Sequence, residues 1–414
     1  MSPQRTRTSG EYASGPATAT GWAVRRGLRI AHVVPVYPPR RGGVGRVAQE
    51  YAIRLRDRGH EVRVFTPRHP DLRDTPDYVT SLPSLIRVGN AAFTPSLAWR
   101  LHGFDLVHLH YPFFGGVEPV LLRRVLRPRQ ALVVSYHMDA VADGIRGAVF
   151  GIHQRLLLPQ ILGRADRVLV SSLDYARASL FGERIDRLPG VEVHPYGVDL
   201  QHFHPGTEPA LRASLGGTTD TPLLIFVSAL DPAHHFKGFD VLIDALGELV
   251  ALKWRLVVVG DGSSKSQCVD LVRSAGLSER VTFAGHVSDV DLSRYYRAAD
   301  AHVFPSTAAA EAFGLVCLEA AATAIPTIAS SLAGVRRVVL HEETGLHVAP
   351  RDVTQLSAAI RRLLEHPDLR RRLGAAARAR AQAEFDWDTR ISRLEEAYVA
   401  TMTPTNVAAS VAAV

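Results

Sequence analysis

The chain has 414 residues, 46% hydrophobic and 21% charged, with a formal net charge of +7. That length exceeds what one hydrophobic core usually organises, and the composition excludes a disordered or collagen-like chain, so two domains are expected. Cys268 and Cys317 suggest no disulfide framework and fit a reducing compartment, the 18 histidines are scattered without a metal-ligand cluster, and no run of ~18 apolar residues offers a membrane span.

Residues 1–26 are polar, lack the apolar centre of a secretory signal and are expected to be disordered. From Leu28 onward, short apolar runs alternate with amphipathic segments. Strands are predicted at 28–36, 61–66, 106–110, 131–136, 167–171 and 191–194, with helices at 45–58, 117–126 and 175–181. Residues 198–221 lack a strand and are rich in Pro, Gly and Thr, which marks a linker. The alternation then restarts, with strands at 223–228, 255–259, 280–284, 301–304, 327–329 and 347–348. Helices are predicted at 240–249, 264–275, 288–298, 314–323 and 353–364, and the arginine-rich stretch 369–400 is helical. Two consecutive α/β units result, each a doubly wound parallel sheet with its ligand edge at the strand C-termini.

The most informative stretch is Glu311-Ala-Phe-Gly-Leu-Val-Cys-Leu-Glu319, between a buried strand and an Ala-rich helix. With Glu311 at the helix mouth and Glu319 inside it, the carboxylates would stand ~12 Å apart along the axis. Phe313 and Gly314 lie between them near the positive helix end, where backbone N–H groups can meet phosphate oxygens. A sugar nucleotide has that layout of hydroxyls, diphosphate and hydroxyls; a solvated loop and helix face would also account for two glutamates. Gly42, Gly43 and Gly45 follow the first strand and open a helix, the pattern of a phosphate at a helix mouth or of a plain tight turn. His137, beside Asp139, ends a buried strand, as His108 and His110 end another; such histidines face a ligand crevice or serve the core. Lys237 is one of three lysines and precedes Gly238 and a helix, where an ammonium could offset diphosphate charge. Gly260-Asp261-Gly262 ends the next strand in a glycine turn.

Taken together, these stretches resemble the retaining family-4 glycosyltransferases of GT-B architecture, two facing Rossmann-like domains with a cleft between them. Gly42-Gly43, Tyr136-His137, Tyr196-Gly197-Val198-Asp199, Lys237-Gly238, Gly260-Asp261-Gly262, the Glu311/Glu319 pair with Phe313-Gly314-Leu315-Val316, Gly334, Thr344-Gly345, Pro350 and Asp352 carry the resemblance over roughly residues 28 to 400. It implies an acceptor-binding N-terminal domain at 27–205, a nucleotide-sugar domain at 206–385, a helix at 386–402 crossing back, and a flexible tail at 403–414. It also implies that Glu311 bonds donor-sugar hydroxyls, Glu319 the ribose, and the backbone of Phe313, Gly314, Leu315 and Val316 the sugar and phosphate oxygens. Lys237 would neutralise the diphosphate, Gly43 would touch it, and His137 would stand beside the anomeric carbon through its carbonyl or ring. Asp352 and the last helices would fasten the domains.

One departure stands out. Many relatives place an arginine in a Gly-Arg-Leu turn before the lysine; here the turn is Ser228-Ala229-Leu230, no replacement arginine is identifiable from the sequence, and His234, His235, Arg40 or Arg41 could contribute. The expected activity is hexosyl transfer with retention from a UDP- or GDP-sugar to a hydroxyl of a glycan, lipid-linked sugar or small metabolite. No metal or other cofactor is demanded. The alternatives are a non-catalytic sugar-nucleotide-binding protein or another GT-B enzyme such as a phosphorylase or epimerase. Acceptor contacts are expected from loops around 70–100 and 138–160. Location is expected in the cytoplasm, with the cluster Arg123, Arg124, Arg127 and Arg129 a solvated helix end or a peripheral contact with an anionic membrane. No nucleic-acid motif accompanies the charge.

Overall fold

The protein is described by a computed structural model covering residues 27–40, 42–70, 75–88, 91–140, 144–188 and 190–402. The segment 1–26, Arg41 and the tail 403–414 lie outside the described residues.

Two parallel sheets form the molecule. The first has seven strands in the order β3-β2-β1-β6-β7-β8-β9, where β1 is Arg29–Val33, β2 Glu61–Pro67, β3 Val79–Leu82, β6 Leu106–Tyr111, β7 Ala131–Tyr136, β8 Arg167–Val170 and β9 Val191–Val193. The second has six in the order β12-β11-β10-β13-β14-β15, with β10 Leu223–Val227, β11 Arg255–Val259, β12 Val281–Gly285, β13 Ala301–Phe304, β14 Thr327–Ser330 and β15 Gly345–Val348. Every pairing within the two sheets is parallel. Their central strands are buried on both faces, as the continuous apolar runs of β7, β10 and β11 require. In each sheet the order reverses beside the first strand, and the C-terminal strand edges there form the crevice in which such folds bind ligands.

The helices follow the apolar spacing of the sequence. In the helix Gly43–Asp57, Val44, Val47, Ala48, Tyr51, Ala52 and Leu55 are buried on one stripe, with arginines in the last turn near the negative helix end. The predicted linker carries a short helix, Pro209–Ser214, and Val198 donates to the Phe385 carbonyl at 2.8 Å, so the chain leaves the first sheet beside the point where it returns. The arginine-rich end is two helices, Pro367–Glu384 and Trp387–Met402. The second lies on the first domain: Glu395 pairs with Arg58 at 2.6 Å and His60 at 2.8 Å, and the Tyr398 hydroxyl bonds His108 at 2.6 Å. Trp387 packs against Gly197, where any Cβ would sit 2.4 Å from the indole.

Three expectations need correction. Residues 70–100 are not plain loops: they hold β3, an antiparallel hairpin of β4 (Ile86–Val88) and β5 (Ala91–Phe93), and the short helix Leu97–Arg100. Most of 138–160 belongs to the helix Gly144–Leu162, which the sequence hides because Pro159 and a nearly uniform apolar composition blur its faces. Asp352 does not reach across the domains; its carboxylate accepts from the Gln355 amide at 2.8 Å and caps its own helix, Val353–Glu365.

Candidate active site

The loop from β13 runs through Ser306 to Gly314 and opens the helix Leu315–Ala322. Gly314 has φ 87°, and a Cβ there would press on Phe304 and Cys317, so glycine lets the loop turn sharply into the helix. The helix starts at Leu315, one residue later than predicted. Glu311 therefore precedes the helix by four positions, and the axial ~12 Å estimate does not apply to the pair.

Both carboxylates are buried and each meets a cation. Glu311 forms an ion pair with Lys237, and Ser306 Oγ donates to it at 3.4 Å. Lys237 also lies over the Phe304 and Phe236 rings at 5.1 and 5.3 Å. Glu319 accepts from the Tyr296 hydroxyl at 3.1 Å and faces Arg46 at 3.3 Å. Burial pushes the Glu319 carboxyl above its ordinary range, against the pull of Arg46 and the Tyr296 bond. Arg46 comes from the first domain, one turn into the helix that begins at Gly43, and Gly43 stands 3.6 Å from Leu315 at its Cβ position. The two domains thus touch at the helix mouth.

The glycines beside Lys237 have local causes. At Gly238, φ is 71° and a Cβ would lie 2.1 Å from the Pro305 carbonyl. At Gly260 and Gly262 a Cβ would meet the Ser228 and Leu230 carbonyls at 1.8 and 2.1 Å. Bonds from Ser228 to Val259 and from Leu230 to Asp261, both 3.0 Å, join these two loops. Backbone approach between neighbouring strand exits, independent of any ligand, fixes both positions as glycine.

His137 is buried and its ring is fully engaged. Nδ1 meets the Tyr196 hydroxyl at 2.7 Å and Nε2 meets His110 Nδ1 at 2.9 Å, while His110 Nε2 meets His32 Nδ1 at 2.9 Å. Of the two expected routes, ring or backbone carbonyl, the ring is thus already committed to partners in the core. His108 bonds Tyr398 and Ser135 Oγ. His32, His108 and His110 cluster closely enough to suggest a metal, yet both ring nitrogens of His108 and of His110 are already bonded, and His32 Nε2 is the one nitrogen of the three rings without a partner. Burial holds His32 and His137 down to about 3 and lowers His108 and His110 as well.

Of the cations suggested to replace the missing arginine, His234 is bonded to Asp231 at 2.7 Å and His235 to the Pro232 carbonyl at 2.9 Å. Arg46 was not foreseen. Its signal was available, a cation three positions past Gly43 on the face of a helix pointing at the cleft, but only the opposing Glu319 gives it meaning.

Two parallel-sheet domains joined through a cleft, with a strand-to-helix mouth bearing paired acidic and basic groups, define the GT-B glycosyltransferase class. Residues 207–380 match the family described as Glycosyl transferases group 1, and residues 41–202 that described as Glycosyltransferase Family 4. A D-inositol 3-phosphate glycosyltransferase of Nocardia farcinica is 30% identical over 90% of this chain and 88% of its own. That of Kineococcus radiotolerans is 33% identical over 90% and 94%. Sucrose-phosphate synthase of Thermosynechococcus elongatus superposes with a TM-score of 0.74 at 26% identity, covering 89% of this chain and 98% of that one. Anabaena Alr3699/HepE, solved in complex with UDP-glucose, gives 0.71 at 22% identity over 89% and 98%, a likeness of fold. The chain belongs to the family-4 glycosyltransferases.

Proposed function

We propose that the protein transfers a hexosyl group, with retained configuration, from a nucleotide-diphosphate sugar to an acceptor hydroxyl in the cytoplasm. The observation that carries this reading is the pair of buried carboxylates, Glu311 and Glu319, each held against a cation at one helix mouth. In this reading the segment around 206–385 binds the donor and 27–205 the acceptor. Glu311 takes the sugar hydroxyls and Glu319 the ribose. Lys237 turns to the diphosphate, joined by the amides of Phe313 to Val316, of which those of Leu315 and Val316 open the helix and have no intrahelical partner. The Gly42-Gly43 loop closes over the phosphates, Gly238, Gly260 and Gly262 let the surrounding loops approach them, and the His137 carbonyl supports the sugar.

The bond from the anomeric carbon to the phosphate oxygen breaks as the acceptor oxygen attacks from the same face. The acceptor proton passes to the departing phosphate oxygen, so no protein base is needed. Lys237 and the helix mouth stabilise the charge that builds on the diphosphate. Domain closure aligns the partners and excludes water.

The test is a screen of UDP- and GDP-sugars by mass spectrometry against a mixed acceptor library. It includes an inositol phosphate because the relatives' names carry that acceptor. Product that disappears with Lys237→Ala or Glu311→Ala supports the assignment; product indifferent to both sinks it. Ala229 favours one competing reading, a sugar-nucleotide sensor, which gains if donors bind and no acceptor is ever glycosylated.

A further inference from the structure

On the first domain, away from the helix mouth, two neighbouring helices turn apolar side chains outward. In the helix Val117–Leu126 the outward row is Leu122, Val125 and Leu126; in Gly144–Leu162 it is Val149, Ile152 and Leu156. All six are between 52% and 65% exposed. The spacings i, i+3, i+4 and i, i+3, i+7 put each row on a single helix face. Both faces are inverted relative to those of ordinary surface helices, which present charged residues to water.

The rows are neighbours. Glu118 meets His153 at 3.1 Å, Phe114 stacks on Phe150 at 4.3 Å, and Arg124 donates to the Arg164 carbonyl at 2.9 Å. Early residues face early ones and late face late, so the helices run side by side in one sense. Trp99, 64% exposed, extends the surface from the short helix Leu97–Arg100, which packs on Val117–Leu126.

Basic groups rim this surface. Arg127, Arg129 and Arg155 are exposed and enter no ion pair among the described residues. Arg124 does not belong with them: it bonds Asp166 at 2.5 Å and the carbonyls of Pro128, Gln130 and Arg164, which ties the helix end to the core. Glu118, the one acidic residue of the two helices, is occupied by His153 and by the Gly115 amide.

We propose that this face docks on an anionic lipid surface, with the two apolar rows entering the headgroup boundary and Arg127, Arg129 and Arg155 meeting lipid phosphates. Charge decides the occupant. A second copy of this chain would bring the same unpaired arginines against themselves across a two-fold contact, with no free carboxylate on either side. An anionic bilayer satisfies both halves of the surface at once, the apolar rows by burial and the arginines by charge.

The experiment is flotation of the purified full chain with vesicles of phosphatidylcholine alone or with one-quarter phosphatidylglycerol. It needs neither donor nor acceptor, so its failure is separate from failure of the glycosyl-transfer reading. The native chain is expected to bind only the anionic vesicles and to release in high salt. Arg127→Ala with Arg129→Ala should bind about thirty-fold more weakly. Leu122→Ser with Leu126→Ser and Ile152→Ser should abolish binding while leaving the melting temperature intact. No binding to anionic vesicles, equal binding to both compositions, or a dimer in light scattering that the serine substitutions dissolve would each overturn the proposal.

Discussion

Acidification should unfold the first domain well above the pH at which carboxylates titrate. His32, His137 and His194 are buried against one sheet face, and burial holds each down to about 3. In the unfolded chain each imidazole takes up a proton near pH ~6.5. Between those two values only the unfolded chain binds the proton, so stability is complete above ~6.5, falls below it, and goes on falling toward ~3. Each group contributes about 1.4 kcal/mol per pH unit in that window. From pH ~6.5 to ~5 the three together cost about 6 kcal/mol, before His108 and His110, which are also lowered, are counted. A typical domain has only ~5–15 kcal/mol to lose. Urea unfolding followed by circular dichroism at a series of pH values from neutral to mildly acidic gives the slope of stability against pH, and hence the protons taken up. A slope approaching three protons or more is expected. A loss under ~1 kcal/mol across the window would refute the reasoning, because it would mean that the histidines are solvated or already charged in the folded state.

Glu319→Gln keeps the acceptor for Tyr296 and removes a buried charge. Because the folded carboxyl is raised, its ionised form weakens the fold increasingly as pH rises through the window above its ordinary value, so the variant should melt at or above the native temperature at neutral pH. Its affinity for a nucleoside diphosphate should fall ~10–100-fold, the worth of one charge-assisted bond, by calorimetric titration; unchanged affinity would count against the ribose assignment. Arg46→Ala leaves Glu319 buried without its cation and should cost ~1–2 kcal/mol, discounted for the partial exposure of Arg46. Adding Glu319→Gln should restore most of that loss, and zero coupling in the cycle would show the pair to be passive. Gly238→Ala forces a Cβ toward the Pro305 carbonyl at φ 71° and should destabilise the second domain by ~2–4 kcal/mol in thermal melts. An unshifted melt would mean that the loop relaxes freely. Asp174→Ala removes a two-pronged contact to Arg336, both bonds 2.7 Å, between the domains. At this exposure the cost should stay below ~1 kcal/mol, while small-angle scattering should report a larger radius of gyration; an unchanged radius would mean that other contacts hold the cleft.

The two sheets were legible because parallel strands buried on both faces read as uninterrupted apolar runs, as in Leu223-Leu-Ile-Phe-Val227 and Arg255-Leu-Val-Val-Val259. Elements whose stability comes from a neighbour were not. The strand Val79–Leu82 is four residues at a sheet edge, held by pairing with β2 and not by its own pattern. The helix Gly144–Leu162 has no clean polar face, since apolar residues line both its buried and its exposed sides. A periodicity argument needs contrast between faces, and a helix that turns leucine to solvent supplies none.

At the site, motif order located the residues but not their partners. Glu311, Glu319 and Lys237 stood out by chemistry and by position after strands. That Glu311 faces Lys237 and Glu319 faces Arg46 depends on pairs separated by 74 and 273 positions, which no local pattern encodes. The core reading of His108 and His110 holds, but their partners were hidden for the same reason: the register that sets His32 beside His108 and His110 beside Ser135 joins strand-end residues into one buried layer. The Arg46–Glu319 contact is the more consequential of the two pairs because it spans both domains. If Glu319 takes a ribose hydroxyl, as proposed, that hydroxyl competes with a contact holding the cleft at that point, and occupancy of the helix mouth would then be linked to the approach of the domains through one carboxylate.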